Sequence, residues 1–313
     1  MTTTMATARP QTKIDNRILA PKKRRRRLDR GQKLGYLFIL PSLIMLALVL
    51  GLPAVVAVLN SVKPLWEGDG GFTLRYYEKL LQDRIFWNSL GSTIIFVGGT
   101  VILHLLIGLV VALALNTEIR ARRLWRVLII LPWTVPDVIA GLLWRSVYHP
   151  TAGVLNPLLV DLGLSNNPYI EWLGTPQLAM SSVIMADVWR GYPFVMLILL
   201  AGLQAIPREL YEAGEVDGAT PWQAFRFITL PSLRQMILIA MVLDIIWQSR
   251  RFGLVYTLTQ GGPARATNIL PMHIYDQYFR FFDFEYASAT AVVMAVIMLI
   301  ISLPYIRAIT RKG

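Results

Sequence analysis

Long apolar runs separated by short polar segments dominate the amino-acid sequence. The runs cover approximately residues 34–62, 90–115, 124–147, 178–204, 232–257 and 285–308. Each is long enough to cross a hydrocarbon core about 30 Å thick, which takes roughly 20 apolar residues in a helix. Lipid offers no partner for backbone N–H and C=O groups, so runs of this length form helices rather than open strands. The pattern predicts an all-α membrane protein with six transmembrane helices.

Prolines interrupt several of the predicted spans. Each removes a backbone N–H donor from its helix and favours a kink. Kinked helices suit a transport pathway, although proline is also frequent in membrane helices in general. The interrupting residues are Pro41, Pro53, Pro132, Pro136, Pro193 and Pro304.

Lys and Arg residues are distributed unequally between the two sides of the membrane that this topology defines. The first 33 residues and the loops on the same side carry 21 of them, whereas the opposite side carries eight. Positive charge accumulates on the cytoplasmic side of membrane proteins. The sequence therefore predicts that both termini are cytoplasmic, with residues 1–33 forming a basic tail and residues 34–313 forming the transmembrane domain.

Composition agrees with lipid as the solvent. Hydrophobic residues make up 55% of the chain, charged residues 16%, and the mean hydropathy is +0.50. The densest part of the net charge of +12 is Lys22, Lys23 and four arginines at positions 24–27. Such a cluster taken alone is typical of nucleic-acid-binding tracts. Beside a membrane span, we interpret it as a cytoplasmic anchor and expect no nucleic-acid partner.

Several classes of chemistry are absent from the sequence. The chain has no cysteine, which excludes disulfides and thiol catalysis. It has no G-x-x-x-x-G-K-[ST] loop to hold nucleotide phosphates, so it cannot itself be an ATPase. The three histidines, His104, His149 and His273, are too scattered to indicate a metal site, and no hydrolase motif is present. We expect a protein without catalytic residues, metal or cofactor of its own.

The polar segment at residues 206–231 contains two short predicted helices. Helix-forming residues follow Pro207, and Gly218 is suited to the left-handed conformation that ends a helix. The second helix would start at Thr220 as N-cap, with Pro221 at its first position.

The second of these helices would place Trp222 and Phe225 on one face. Exposed aromatic side chains on a helix are suited to a groove in a partner protein. A helix lying flat on the lipid headgroups would have the same pattern, so the local chemistry leaves both interpretations open.

The spacing within this segment resembles the EAA loop of binding-protein-dependent ABC permeases. The matching residues are Glu212-Ala213, Gly218, Ile228 and Leu230-Pro231. In that family the loop forms a coupling helix that fits a cleft in the ATPase subunit. The resemblance assigns ATPase coupling to Glu209, Glu212, Ala213, Asp217, Gly218, Trp222, Phe225 and Pro231. One departure is Gly214, where the family usually has alanine.

The resemblance extends over residues 85–304. Further segments are similar to the carbohydrate branch of the family, which includes maltose and glycerol-phosphate permeases: Leu131-Pro-Trp133, Trp144-Arg145 with Asn156, Asp187-Val-Trp-Arg190 and Thr259-Gln-Gly-Gly-Pro263. The resemblance implies a six-helix, MetI-like type I importer permease in a bacterial inner membrane, transporting a sugar or sugar derivative by alternating access. It also implies a second permease subunit, two ATPase subunits that bind ATP and magnesium, and an extracytoplasmic sugar-binding protein.

Ionisable and aromatic residues inside the predicted spans are candidates for a substrate pathway, because buried charge in a membrane usually faces a cavity or a partner. The fifth span carries Asp244, Trp247, Gln248 and Arg251 at helical spacing on one face, and the third carries Trp133, Asp137 and Trp144. Carboxylates and amides can bind sugar hydroxyls, while an indole covers an apolar sugar face. The fourth span adds Asp187 near the membrane midplane and Arg190 three residues later.

Simpler interpretations exist for some of these residues. For Asp187 and Arg190, we favour a structural salt bridge inside the helix bundle over direct contact with substrate. We expect His104 to be a packing residue. Arg145, Arg190, Arg250 and Arg251 could together give the pathway a positive field that favours an anionic sugar.

Two rival functions remain open at this point. An ion-coupled secondary transporter could carry protons on a midplane carboxylate such as Asp244. An intramembrane enzyme could use Asp137, Asp187 or Asp244 as acid or base. The enzyme hypothesis gives no role to the segment at residues 206–231.

Overall fold

The computed structural model describes residues 30–63, 71–117 and 120–310. Within these ranges the chain is helical and has no β-strand, so the predicted all-α fold is confirmed. The predicted basic tail falls outside the described residues except for its last four positions. Within the described residues, the chain divides into two compact units between Pro53 and Ala54.

Helix α1 (Arg30–Leu46) lies in the first unit and is followed by a π-helical turn, Ala47–Gly51. Every side chain from Tyr36 to Leu50 is exposed. Because nearly all of them are apolar, this surface requires lipid or a partner helix.

The remaining helices are α2 (Leu52–Val62), α3 (Arg75–Gln82), α4 (Arg84–Asn116), α5 (Arg122–Thr134), α6 (Asp137–Val147), α7 (Leu155–Asp161), α8 (Pro176–Gln204), α9 (Arg208–Val216), α10 (Pro221–Ala224), α11 (Leu230–Ser249), α12 (Gly253–Thr259), α13 (Leu270–Tyr275) and α14 (Phe284–Thr310). Five helical segments of the described chain are long and apolar enough to cross a membrane: Tyr36–Val62, Arg84–Asn116, Pro176–Gln204, Pro221–Ser249 and Phe284–Leu303. A sixth is present if α5 and α6 form one broken span.

The third predicted span, 124–147, is not one continuous helix. Helices α5 and α6 meet at an angle of 95°. Pro136 has no backbone N–H and disfavours helical geometry in the residue before it. Val135 is accordingly extended, with φ −71° and ψ 127°.

The fifth predicted span, 232–257, begins and ends earlier in the structure. Helix α10 continues through a π-helical turn, Phe225–Thr229, into α11, which ends at Ser249. Two consecutive arginines follow, and Arg251 turns toward Asp187 on α8. The chain then forms the separate helix α12, so the uninterrupted apolar pattern at residues 252–257 belongs to a different element.

The core of the second unit lies where α4 packs along α8, with α11 beside both. Side chains such as Phe96, Val183 and Leu199 are fully buried there. Gly108 makes the close approach of α4 to α8 possible, because a methyl group at this position would lie 3.0 Å from the backbone N of Met196.

We predict that two glycine-to-alanine substitutions on α4 differ in their effect on stability. Gly98 has no neighbouring atom within 4 Å of an added Cβ, so Gly98→Ala should leave stability unchanged or raise it by up to about 1 kcal/mol through helix propensity. Gly108→Ala should destabilise by about 1–3 kcal/mol, because the backbone of α8 cannot move aside as a side chain would. Thermal unfolding of the purified protein in detergent measures both, and equal melting temperatures would contradict the packing described.

Candidate functional site

Buried ion pairs connect the broken third span to α8 and α11. Nη2 of Arg190 lies 2.8 Å from Oδ1 of Asp137, and Nη1 of Arg251 donates hydrogen bonds of 3.0 and 3.2 Å to the same carboxylate. Nε of Arg251 also lies 2.9 Å from Oδ1 of Asp187, whose side chain is fully buried. Asp137 and Arg251 therefore join three helical segments through charge.

His104 of α4 extends this network to the centre of the unit. Its Nδ1 lies 2.8 Å from Oδ2 of Asp244, and its Nε2 lies 3.3 Å from the backbone oxygen of Asp187. The imidazole fits because residue 191 is glycine: a methyl group there would lie 2.3 Å from Cε1 of His104. His104 thus has oxygen partners at both ring nitrogens, on α8 and on α11.

Gln248 closes the network into a ring. Its Nε2 donates to Oδ1 of Asp244 at 3.0 Å, and its Oε1 accepts a hydrogen bond of 3.0 Å from Nε of Arg251. Removing two charges from water is costly unless they are paired and their remaining hydrogen-bonding groups are satisfied. The ring pairs its charges with residues from α4, α6, α8 and the end of α11, but the Asp187 carboxylate accepts no hydrogen bond from the described residues and is held by its ion pair with Arg251.

Local structure explains how these charges come together. The break at Pro136 places Asp137 in the first turn of α6, where a carboxylate is favoured by the helix dipole. The carbonyl of Val135, which the break leaves outside any helix, accepts a hydrogen bond of 2.7 Å from Nε of Arg190. The end of α11 at Ser249 places Arg251 near a helix C-terminus, where a cation is favoured.

A cavity of about 490 Å³ adjoins the network, within the range of small-molecule sites, roughly 300–1,000 Å³. Its walls carry both charged and aromatic groups. Phe194 stacks on Trp133 with ring centroids 6.0 Å apart and contacts Trp247 at 4.5 Å. The lining residues are Trp133, Asp137, Arg190, Gly191, Phe194, Asp244, Trp247, Gln248, Arg250 and Arg251.

The structure brings together most of the residues that the sequence nominates for a substrate pathway. Seven of the nine line the cavity. Trp144 does not; it packs against Tyr148 and Trp189, at ring distances of 5.1 and 5.8 Å. Asp187 lies behind the wall, at 0% exposure. Asp187 and Arg190 each form ion pairs with residues of other segments, which agrees with a structural role for both.

Sequence reasoning misses two contributors to the site, His104 and Phe194, and nominates a third, Arg250, only for a positive field. The sequence predicts only packing for His104, yet this residue bridges two aspartates; its partners lie 83 and 140 residues away, so no local pattern reveals them. Arg250 falls off the helical stripe of the fifth span, so the sequence nominates it for the positive field but not for the stripe. Because α11 ends before it, helical spacing no longer applies and Arg250 lines the cavity. Phe194 follows Pro193 in an apolar run and carries no distinguishing signal.

Within the described residues, no group of three His, Cys, Asp or Glu side chains could hold a metal ion. The carboxylates of the ring are instead occupied by arginines, a histidine and a glutamine.

The segment at residues 206–231 forms a second candidate site. Helix α9 ends at Val216, and Gly218 has a φ of +75°, as its predicted role at a helix end requires. Val216 and Trp222 are 88% and 68% exposed. Most of the other residues predicted to couple to an ATPase are also exposed: Glu209, Glu212, Ala213, Asp217, Gly218 and Pro231. Phe225 is half-buried, and its ring centroid lies 5.5 Å from that of Trp222.

The second short helix predicted in this segment is not separate. Thr220 is the N-cap, and Gln223 completes a capping box, so the predicted start is confirmed. The helix then continues through the π-helical turn Phe225–Thr229 into α11, because the backbone keeps right-handed helical angles at Ala224, Thr229 and Leu230. The tip of this segment and Asp244 therefore lie on one helical run, which includes the π-helical turn.

Gly214 lets α9 pack closely against the π-helical turn that precedes α11. A methyl group at residue 214 would lie 3.0 Å from Cδ1 of Ile228. The hydroxyls of Tyr211 and Thr229 hydrogen bond at 2.9 Å beside this contact. The glycine thus has a packing reason, although alanine is usual at this position in the resembling family.

Comparison with known proteins gives three findings. The family described as binding-protein-dependent transport system inner membrane component matches residues 104–311. The trehalose/maltose transport system permease protein MalF of Thermococcus litoralis is 36% identical over 89% of this chain and 94% of its own length. The sulfoquinovosyl glycerol transport system permease protein SmoG of Agrobacterium fabrum is 34% identical over 91% of this chain and 93% of its own.

The fold has a counterpart among solved structures. A chain from the crystal structure of a bacterial ABC transporter involved in the import of the acidic polysaccharide alginate superposes with a TM-score of 0.76. The match covers 90% of this chain and 96% of that chain, at 24% identity. The arrangement of helices is therefore that of an ABC importer permease.

We predict strong coupling between Asp187 and Arg251. Asp187→Asn and Arg251→Gln should each destabilise by about 3–5 kcal/mol, because each leaves a buried charge without its partner. The double variant should lose less than the sum, since both charges are removed together. Thermal unfolding of the four proteins in detergent gives the coupling energy.

The exposed pair of Lys79 and Asp283, with 2.6 Å between Nζ and Oδ2, is the matched control. Lys79→Gln should cost less than about 1 kcal/mol. Additive effects at Asp187 and Arg251 would show that the buried pair is not energetically linked.

Proposed function

Because the chain belongs to the family of binding-protein-dependent transport system inner membrane components, we propose that it is one permease subunit of an ATP-driven importer for a sugar or sugar derivative. The observation that carries the proposal is the cavity of about 490 Å³ with indole, carboxylate, amide and guanidinium groups on its walls. The names of the two permease relatives, for trehalose, maltose and sulfoquinovosyl glycerol, support a sugar as cargo.

The cavity lining matches the two faces of a sugar. Indole rings of Trp133 and Trp247 can cover the apolar face of a pyranose, with Phe194 between them as part of the same wall. Asp244 and Gln248 can exchange hydrogen bonds with hydroxyl groups. Asp137, Arg190 and Arg251 surround this position and hold its walls together through their ion pairs. Asp187 and Trp144 support the site from outside the cavity.

The exposed segment around α9 is suited to coupling with an ATPase. Apolar side chains at Val216, Trp222 and Phe227 are 88%, 68% and 72% exposed in a region that also carries exposed glutamates. Such a surface is suited to insertion into a groove of another protein. Helix α10, the π-helical turn Phe225–Thr229 and α11 link the segment to Asp244 and Gln248, so motion of the segment would reach the cavity along this helical run.

The complete transporter would contain a second permease subunit, two ATPase subunits and an extracytoplasmic sugar-binding protein, in a bacterial inner membrane. ATP and magnesium would bind to the ATPase subunits, and this chain would take no part in hydrolysis. ATP binding would draw the ATPases together, move α9 and expose the cavity to the two sides in turn.

Uptake by the complete transporter in proteoliposomes tests this proposal. Sugar uptake should require ATP and the binding protein, and should persist when ionophores collapse the ion gradients. Gly218→Val should lower the uptake per ATP hydrolysed at least about tenfold, because a left-handed conformation costs a non-glycine residue about 1–2 kcal/mol, more when it is β-branched, and so displaces α9.

Gly218→Asn is the matched control, because asparagine tolerates a positive φ. It should transport like the wild type. Uptake that stops with the ion gradients would favour a secondary transporter, and equal transport by both Gly218 variants would contradict coupling through α9.

A further inference from the structure

Arg250 lies between two cavities. It follows the last residue of α11 and lines the charged cavity described above. It also lines a second cavity of about 550 Å³, whose other walls are mostly apolar. The two cavities are thus adjacent at the end of the fifth span.

The charged groups of the first cavity have partners, with one exception. Asp137 pairs with Arg190 and Arg251, and Asp244 pairs with His104. Arg250 is exposed, and no ion pair or hydrogen bond of its side chain occurs among the residues that the structure describes. The first cavity therefore presents a guanidinium that is free to bind an anion.

The second cavity is built largely from aromatic rings. Phe252 and Tyr275 lie 5.0 Å apart, Tyr275 and Phe279 5.0 Å, and Tyr278 and Phe279 4.9 Å. Tyr278 and Phe279 are 41% and 58% exposed. Exposed faces of tyrosine and phenylalanine can stack on the C–H face of a pyranose, and a tyrosine hydroxyl can bind its substituents.

The four arginines that the sequence nominates for a positive field do not contribute equally. Arg190 and Arg251 are neutralised by Asp137 and Asp187. Arg145 is exposed and does not line the charged cavity. Among these four arginines, only Arg250 both lines the charged cavity and forms no ion pair with the described residues.

We propose that Arg250 is a specificity-determining residue that binds the acidic group of an anionic sugar while the sugar ring lies on Phe252, Tyr275, Tyr278 and Phe279. The planar guanidinium matches a carboxylate or sulfonate through two parallel hydrogen bonds. The aromatic cavity would receive the ring first, and Arg250 would guide the acidic group into the charged cavity. This inference rests on the proposed function and adds the charge of the substrate.

Matched pairs of neutral and acidic sugars test the inference in the complete reconstituted transporter. The pairs are methyl glucosides, galactosides and mannosides with their uronic acids, and with the 6-sulfonated glucoside as a second type of acid. We expect uptake of at least one acidic sugar in preference to its neutral counterpart. Arg250→Gln should raise the KM for that sugar at least about tenfold, as expected for loss of a charge-assisted hydrogen bond, and leave the maximal rate nearly unchanged.

Three further variants make the result specific. Arg250→Lys should retain part of the preference, because it keeps the charge but not the paired geometry. Phe279→Ala should raise KM for acidic and neutral members alike. Arg84→Gln removes an exposed arginine that lines neither cavity and should transport like the wild type.

The outcomes separate the inference from the proposed function. Uptake of neutral sugars only, or an Arg250→Gln variant whose KM for acidic sugar changes less than twofold, would overturn the role of Arg250 and leave a sugar permease. Absence of uptake of every sugar, with ATP hydrolysis intact, would overturn both. A preference between the carboxylate and the sulfonate would identify which acid the guanidinium recognises.

Discussion

The structure depends on the pairing of charges inside an apolar helical unit. One ring of charged and polar side chains joins α4, α6, α8 and the end of α11. Its members are Asp137, Arg190, Arg251, Asp187, His104, Asp244 and Gln248. Charge inside a membrane protein is tolerated where it is paired or faces a cavity. The charges of this ring are paired, and several of its residues line the cavity of about 490 Å³. The same residues therefore stabilise the packing of the helices and form the polar wall of a cavity.

Two interruptions of helical structure allow this arrangement. The break at Pro136 frees the Val135 carbonyl for Arg190 and turns Asp137 inward, and the end of α11 at Ser249 releases Arg250 and Arg251 from helical spacing. Continuous helices would have directed these groups elsewhere. Arg251 is neutralised within the ring, whereas Arg250 faces both cavities. A charged pathway and a cation available to a ligand thus arise from the same local geometry.

Much of the fold can be predicted from sequence, because apolar runs of membrane length and proline positions are local signals. The start of α10 at Thr220 and the helix end at Gly218 follow from capping rules and are confirmed. Pro136 predicts a kink, but the 95° angle between α5 and α6 depends on what each helix packs against.

The site can be predicted only in part. Helical spacing nominates Asp244, Gln248 and Arg251, and all three line the cavity. The pairing of His104 and the freedom of Arg250 depend instead on contacts between distant helices, which no local pattern encodes.

We propose that a separate ATPase drives this permease through contact with α9. The chain contains no cysteine, so Val216→Cys introduces a unique thiol at a side chain that is 88% exposed. Leu164→Cys, at a side chain 72% exposed in a segment predicted to lie outside, is the matched control. In intact cells, a short thiol–amine cross-linker should join the thiol at position 216 to the ATPase subunit, and a membrane-impermeant thiol reagent should label only the variant at position 164. Labelling of position 216 from outside, or cross-linking of neither thiol to an ATPase, would contradict the account.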